Sequence, residues 1–228
     1  MTWSRWFFIG AAATVVAGFS YGFALRPWMA HWGATESEST RPFPGDEIVA
    51  TPRQEVTHAI TIDAAPSHVW PWVVQMGQDK GGLYSYTFLE NLMGLDFQNA
   101  DRIVPEWQGL KEGDFLRLAP ESRGDLKLLV EHIEVERLLL LRAPGERQEA
   151  IDAGLPWTSW AIVLEPVEGG SATRLIFRWR TDFAPTLVGY ALNKYAIEPI
   201  QFIMERKTML GIKERAERMA EAAADAPP

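Results

Sequence analysis

The sequence predicts an α+β domain in which a curved antiparallel sheet wraps around a long C-terminal helix. Three observations predict it: an alternating strand that begins at residue 54, five further strand-like segments between residues 113 and 183, and a helical apolar period from residue 197 onward. A helix with one apolar face needs an apolar partner, and the inner face of the sheet is the available one. Two short helices after the first strand and one N-terminal transmembrane helix complete the predicted architecture.

The strand assignments depend on alternation between apolar and polar side chains. Residues 54–63 alternate as a half-buried strand does, and residues 64–67 then favour a helix start with proline in the first turn. Glycines at 77, 81 and 82 end that helix, and residues 86–93 predict a second short one. The later strands are predicted over residues 114–119, 127–135, 137–143, 158–166 and 172–183.

The C-terminal region predicts one long amphipathic helix. Its apolar face is predicted from Ile197, Ile200, Met204, Thr208, Ile212, Ala216 and Met219. Charged residues, Glu205 among them, are predicted to form the opposite, solvated surface. The folded domain is therefore predicted over residues 54–221, with a disordered tail over residues 222–228.

The N-terminus predicts a membrane anchor. Residues 6–25 contain no charged residue and are long enough to cross a bilayer as a helix, and tryptophans flank both ends. We therefore expect a single-pass anchor over residues 1–26 and a location at the membrane, with the side of the soluble domain undetermined. A cleaved signal peptide is the alternative, although the apolar run is longer than such peptides need.

Residues 27–53 are rich in proline, serine, threonine and acidic residues, which predicts a tether between anchor and domain. Trp28, Trp32 and Phe43 could dock this tether on the domain as a strap. If they were exposed instead, they would favour a third function, that of a protein-interaction module.

Composition excludes several classes of function. A net charge of −8 argues against nucleic-acid binding, because phosphate contacts need clustered Lys and Arg. The absence of cysteine excludes disulfides, thiolate metal sites and a cysteine nucleophile. The four histidines lie in separate segments without the spacing of metal ligands, and GQDKGG lacks the Gly-Lys-Ser/Thr ending of a phosphate loop. We expect neither a metal nor another cofactor, and the sequence leaves the oligomeric state open.

Residues 70–106 crowd aromatic, glycine and polar residues into a span that predicts a pocket wall. The predicted ligand-binding residues are Trp70, Trp72, Tyr84, Tyr86, Glu90, Asn99, Arg102, Trp160 and Trp179. Glu90, Asp101 and Tyr84 are the catalytic candidates, because a carboxyl sheltered by aromatic rings has a raised pKa and can transfer protons. The structural alternative, favoured here, is that Glu90 or Asp101 forms an ion pair with Arg102.

Several segments resemble the SRPBCC or START-like superfamily, which includes relatives of polyketide cyclases and dehydratases. They are VWPWVVQMGQDKGGLYSYTFLENLMG, NADRIVPEW, KEGD and MERKTMLGIKERAE, preceded by a tether that begins RPWMAHWGAT and resembles a membrane-anchored branch. Over residues 54–221 the resemblance implies the helix-grip fold, with a cavity between sheet and C-terminal helix. Members use this cavity to bind lipids, sterols or other apolar molecules, and some use it as a cyclase, dehydratase or oxygenase site.

The predicted function is therefore a membrane-tethered binding domain for an apolar small molecule or lipid. The alternative is a cyclase or dehydratase in which Glu90 or Asp101 is the general acid or base and Tyr84 or Tyr86 donates to an oxyanion. Binding without catalysis is favoured, since each candidate residue also has a structural explanation.

Overall fold

The computed structural model describes residues 20–92, 94–124 and 126–225. Six antiparallel strands form one sheet in the order β1-β6-β5-β4-β3-β2. The strands are β1 (Gln54–Ile62), β2 (Phe115–Arg117), β3 (Lys127–Glu134), β4 (Leu138–Arg142), β5 (Trp157–Val167) and β6 (Ala172–Asp182). Each of them lies where alternation predicts a strand, so the predicted antiparallel sheet is confirmed.

The helices are α1 (Arg26–Ala30), α2 (Glu36–Thr40), α3 (Pro66–Val74), α4 (Thr87–Leu92), α5 (Arg147–Asp152), α6 (Leu187–Leu192) and α7 (Glu198–Ala224). Two π-helical turns, Tyr21–Leu25 and Asn193–Ile197, lead directly into α1 and α7. Helices α3 and α4 are the two short helices that the sequence predicts after strand 1. Helix α7 is the predicted long C-terminal helix, and it extends three residues beyond the predicted domain end at 221, into the segment predicted as a disordered tail.

The core lies between the inner face of the sheet and helices α3 and α7. On the two longest strands the inner face carries directly opposed pairs, such as Ile162 with Phe177 and Leu164 with Leu175. Met209, Ile212 and Ala216 of α7 join the same fully buried cluster. The C-terminal half of α7 therefore packs on the core, as its apolar period predicts. Ile197, just before the helix, and Ile200, in its first turn, are instead 43% and 50% exposed.

The outer face of the sheet is covered by residues 26–53. Phe43 of this segment is buried against Ala59 and Ile176, and Ile48 packs beside Leu138 and Leu140. A segment of this composition does not form a core of its own, and here it uses the apolar outer face of the sheet instead. Phe43 is buried, Trp32 is half-buried and Trp28 is 54% exposed.

Ion pairs hold the same segment on the sheet. Arg178 of β6, which is 5% exposed, bonds to the Asp46 carboxylate at 3.2 Å and pairs with Glu55 at 2.8 Å. Arg174 bonds to both carboxylate oxygens of Glu38 at 2.7 and 2.8 Å. The polar residues of β6 thus face the covering segment rather than open solvent.

The predicted membrane anchor requires correction. Within the described ranges, no helix combines the length and the apolar character needed to cross a membrane, so the predicted membrane location is wrong. Residues 6–19 of the predicted span lie outside the described residues. Within the described part, residues 20–25, Tyr21 contacts the protein: its hydroxyl donates to the Lys194 carbonyl and its ring lies 5.4 Å from that of Tyr195. Phe23 and Leu25 are 72% and 46% exposed. The next residue, Arg26, bonds to Glu198.

Candidate functional site

A cavity of about 530 Å³ lies between the inner face of the sheet and the N-terminal half of α7. This volume falls within the range of small-molecule sites, about 300–1,000 Å³. The sheet contributes Gln54, Leu128, Thr158, Trp160, Trp179 and Thr181, and α7 contributes Gln201, Met204, Glu205 and Thr208. Leu126 and Leu192, which are 45% and 53% exposed, also line it, so the cavity wall reaches the protein surface.

The strand register explains the aromatic wall of the cavity. Trp160 of β5 lies directly opposite Trp179 of β6, and Thr158 lies opposite Thr181 one inward position away. The two indole rings stack with centroids 4.4 Å apart and planes tilted by 15°. Within the part of the chain that the structure describes, neither indole Nε1 has a hydrogen-bond partner. Both tryptophans therefore lie where the sequence predicts ligand-binding residues, on the inner face of adjacent strands.

Glu90 is the acidic residue of α4 that lines the cavity. It is 1% exposed, and neither of its carboxyl oxygens has a hydrogen-bond partner among the described residues. Burial raises the pKa of this carboxyl from 4.5 to about 7, because the charged form loses its hydration. Helix α4 exposes apolar side chains and buries an acidic one: Phe88 and Leu92 are 76% and 74% exposed, whereas Glu90 is buried. Such an arrangement costs stability, and unpaired buried carboxyls of this kind are concentrated at functional sites.

Glu205 is a second carboxyl in the cavity wall, and it has partners. Its Oε2 lies 2.9 Å from Nδ1 of His58, and its Oε1 accepts a hydrogen bond from Gln201 Nε2 at 2.6 Å. The amide oxygen of the same glutamine, Gln201 Oε1, accepts a hydrogen bond from Gln54 Nε2 at 3.0 Å. The sequence predicted Glu205 on the solvated face of the helix, but this network turns it inward, where it is 6% exposed.

Three of the predicted ligand-binding residues belong to the core beside the cavity. Trp70, Trp72 and Tyr84 are 7%, 3% and 1% exposed and pack in the main apolar cluster, outside the cavity lining. The Tyr84 hydroxyl donates to the Trp72 carbonyl at 3.0 Å. Burial raises the pKa of this hydroxyl above its ordinary value of 10. Tyr84 thus anchors the loop before α4 to α3, and its hydroxyl is already engaged.

The remaining predicted residues lie at the surface or in loop contacts. Tyr86 is 40% exposed, and Arg102 is exposed, with its carbonyl accepting from Gln75. Asn99 accepts from the Tyr84 amide at 2.7 Å and donates to the Ser85 carbonyl at 2.9 Å, which fixes the loop. The Asp101 carboxylate pairs with Arg215 at 2.8 Å rather than with Arg102. Of the three catalytic candidates, only Glu90 lines the cavity.

Sequence reasoning missed the polar residues that α7 and β1 bring to the cavity. Gln54, Gln201 and Glu205 come from segments separated by about 147 residues along the chain, so no local motif joins them. Thr158 and Thr181 carry a signal that was available, because each lies two residues from a predicted ligand-binding tryptophan on the same face of its strand.

Fold and cavity together define a class of protein: an α+β helix-grip domain with a mostly apolar cavity between the sheet and the C-terminal helix. No protein-family model matches the sequence, and comparison with curated proteins gives no match. Solved structures do match.

A hypothetical protein from Helicobacter pylori is 11% identical, with a TM-score of 0.46 over 80% of this chain and 99% of that chain. A polyketide-cyclase-like protein from Corynebacterium glutamicum is 18% identical, with a TM-score of 0.35 over 75% of this chain and 93% of that chain. Truncated norcoclaurine synthase from Thalictrum flavum is 14% identical, with a TM-score of 0.39 over 69% of this chain and 92% of that chain. Similarity at this level carries no information about what this chain binds.

Proposed function

We propose that the protein binds an apolar small molecule in the cavity between sheet and α7. The observation that carries the proposal is a cavity of about 530 Å³ whose described wall is mostly apolar and contains the Glu90 carboxyl, which has no partner among the described residues. An unfilled cavity lowers the stability of the folded state, because the side chains that line it lose packing contacts. A cavity of this size is therefore better explained by a ligand that fills it. Apolar walls with a few polar groups that fix orientation are the usual form of a small-molecule site.

The proposal is tested by recovering a ligand. The purified protein is extracted with organic solvent and the extract is analysed by mass spectrometry, and the protein is then titrated with a panel of lipids, sterols and aromatic compounds while its melting temperature is followed. We expect a recovered compound or a melting temperature that rises with ligand concentration. A protein that yields no compound and responds to no member of the panel contradicts the proposal.

A matched pair of variants at Thr208 locates the binding. Thr208 lines the cavity from α7, so Thr208→Phe fills part of the volume, whereas Thr208→Val keeps the shape of the side chain. We expect Thr208→Phe to lose the ligand and Thr208→Val to retain it. If both variants bind as the wild type does, the ligand lies elsewhere.

Acid–base catalysis is the second candidate, favoured by Glu90 alone. A general acid or base works best with a pKa near the operating pH, and burial raises the pKa of Glu90 to about 7. The test is to incubate the recovered compound with the protein in D₂O and to measure deuterium incorporation or conversion by mass spectrometry. Wild-type exchange that Glu90→Gln abolishes without loss of binding would support catalysis, and an unchanged compound would contradict it.

A further inference from the structure

The charges in the cavity wall discriminate between classes of apolar ligand. Of the described residues that line the cavity, two are acidic, Glu90 and Glu205, and none is Lys, Arg or His. A ligand that carries a carboxylate or phosphate would therefore enter a low-dielectric space with no basic group to pair with it. Fatty acids and anionic lipids are poor matches for such a wall.

The carboxyls of Glu90 and Glu205 differ in their hydrogen-bond partners. Glu205 already has His58 on one oxygen and Gln201 on the other. Other polar groups of the wall are also engaged: Thr158 Oγ1 donates to the Arg180 carbonyl at 2.9 Å, and Gln54 donates to Gln201. Of the two described carboxyls that line the cavity, Glu90 is the one whose oxygens both have no partner among the described residues. The two carboxyl oxygens of Glu90 are therefore available to accept hydrogen bonds from a ligand in the cavity.

We propose that the ligand is a lipophilic amine whose ammonium group donates hydrogen bonds to the Glu90 carboxylate. The inference rests on the proposed function and names the ligand class for that site. An ammonium group offers up to three donors and a positive charge, and a charge-assisted hydrogen bond is roughly twice as strong as a neutral one. An alcohol offers one neutral donor, and a carboxylate offers none.

The apolar part of such an amine lies against the stacked Trp160 and Trp179. Their rings and the Leu, Phe and Met side chains of the wall bury the body of the ligand, which is the main source of affinity, whereas the glutamate orients it. An amine site of this kind needs no metal and no basic residue.

The test is a matched series with one chain length and three head groups: dodecylamine, dodecanol and dodecanoate, with the alcohol below its solubility limit and the two ionic compounds below their critical micelle concentrations. Affinities for the full-length protein are measured by isothermal titration calorimetry at pH 7. We expect dodecylamine to bind about tenfold or more tightly than dodecanol, and dodecanoate to bind most weakly. Equal affinities, or tighter binding of dodecanoate, would overturn the inference while leaving the proposed function intact. Failure of all three to bind, with no compound recovered from the protein, would overturn both.

Glu90→Gln keeps the size of the side chain and removes its charge, so it isolates the contribution of the carboxylate. We expect this variant to bind dodecylamine about tenfold more weakly and dodecanol as well as the wild type does. Glu47→Gln, at an exposed acidic residue away from the cavity, is the control and should change neither affinity. A Glu90→Gln protein that keeps its preference for the amine contradicts the inference. Because the wild-type series is decisive by itself, a poorly folded variant leaves the test intact.

Discussion

Nδ1 of His58 lies 2.9 Å from Oε2 of Glu205, and Nε2 of the same ring lies 2.7 Å from the carbonyl oxygen of Met29. Both ring nitrogens thus face acceptors. Nε2 must carry a proton to bond to the carbonyl, so a further proton is shared between Nδ1 and the carboxyl. The pair is buried, with His58 1% and Glu205 6% exposed. It connects the segment that covers the outer face, strand β1 and the cavity wall on α7.

His58→Ala should destabilise the protein by about 3 kcal/mol, because it removes the buried partner of Glu205 Oε2 and the side-chain partner of the Met29 carbonyl. The free energy of unfolding is measured by urea titration. His132→Ala is the matched control, since His132 also lies 2.7 Å from a glutamate, Glu112, but both side chains are about half exposed. That surface pair should contribute less than about 1 kcal/mol. Equal losses in the two variants would contradict the role of the buried pair.

Ionisation of Glu90 should make the protein less stable as pH rises. The pKa of this carboxyl is about 7 in the folded protein against an ordinary value of 4.5, so the folded state binds more protons between these values. Stability is then fully present below pH 4.5 and is lost as pH rises through 7.

Glu90→Gln removes this dependence. We expect the variant to be more stable than the wild type at pH 8, on the order of 1–3 kcal/mol, because no unpaired charge remains buried. Urea titrations at pH 5, 6, 7 and 8 measure the slope for both proteins. Identical slopes would show that Glu90 stays hydrated in the folded state.

Glu38 should respond to acid in the opposite direction. Its hydrogen bonds from Arg174, together with the Thr35 backbone, lower the pKa of the carboxyl from 4.5 to about 2. Its stabilising effect is therefore present above pH 4.5 and is lost as pH falls through 2. Because Glu38 holds α2 on β6, we expect pepsin to cleave within residues 33–53 sooner in Glu38→Gln than in the wild type at pH 3.5. Glu36→Gln on the exposed face of α2 is the control and should match the wild type.

The fold was predictable because its main elements follow local periods. Strand β6 was predicted over residues 172–183 and spans Ala172–Asp182, since its side chains alternate between an apolar face on the core and a polar face, which residues 26–53 cover. The helices α2 and α6 were not predicted, because five or six residues that are all polar, as in α2, or almost all apolar, as in α6, show no alternation between the two kinds.

The site was predictable only in part, for a related reason. Trp160, Trp179 and Glu90 line the cavity, as the sequence predicted. They could be predicted because strand alternation and a segment crowded with polar and aromatic residues are both local patterns. Glu205 has charged neighbours on α7 and looks like a solvated residue in sequence, and only its distant partner His58 turns it inward. A contact across 147 residues leaves no pattern in one sequence.

Gly211→Ala should destabilise the protein although alanine is the better helix former. Gly211 lies within α7 where the helix meets the loop before α4, and an added Cβ would lie 2.5 Å from the Tyr84 carbonyl oxygen and 2.7 Å from the Tyr84 Cβ. Helix propensity alone favours alanine by about 1 kcal/mol, but a clash with backbone forces α7 away from the loop and costs about 1–3 kcal/mol. Gly22→Ala is the matched control, because an added Cβ there meets no atom of the described residues within 4 Å, and it should be neutral or slightly stabilising. Since Leu83, next to Tyr84, and Thr208 of α7 line the cavity, Gly211→Ala should also weaken ligand binding. A variant that is as stable as the wild type would show that the loop and α7 can separate without cost.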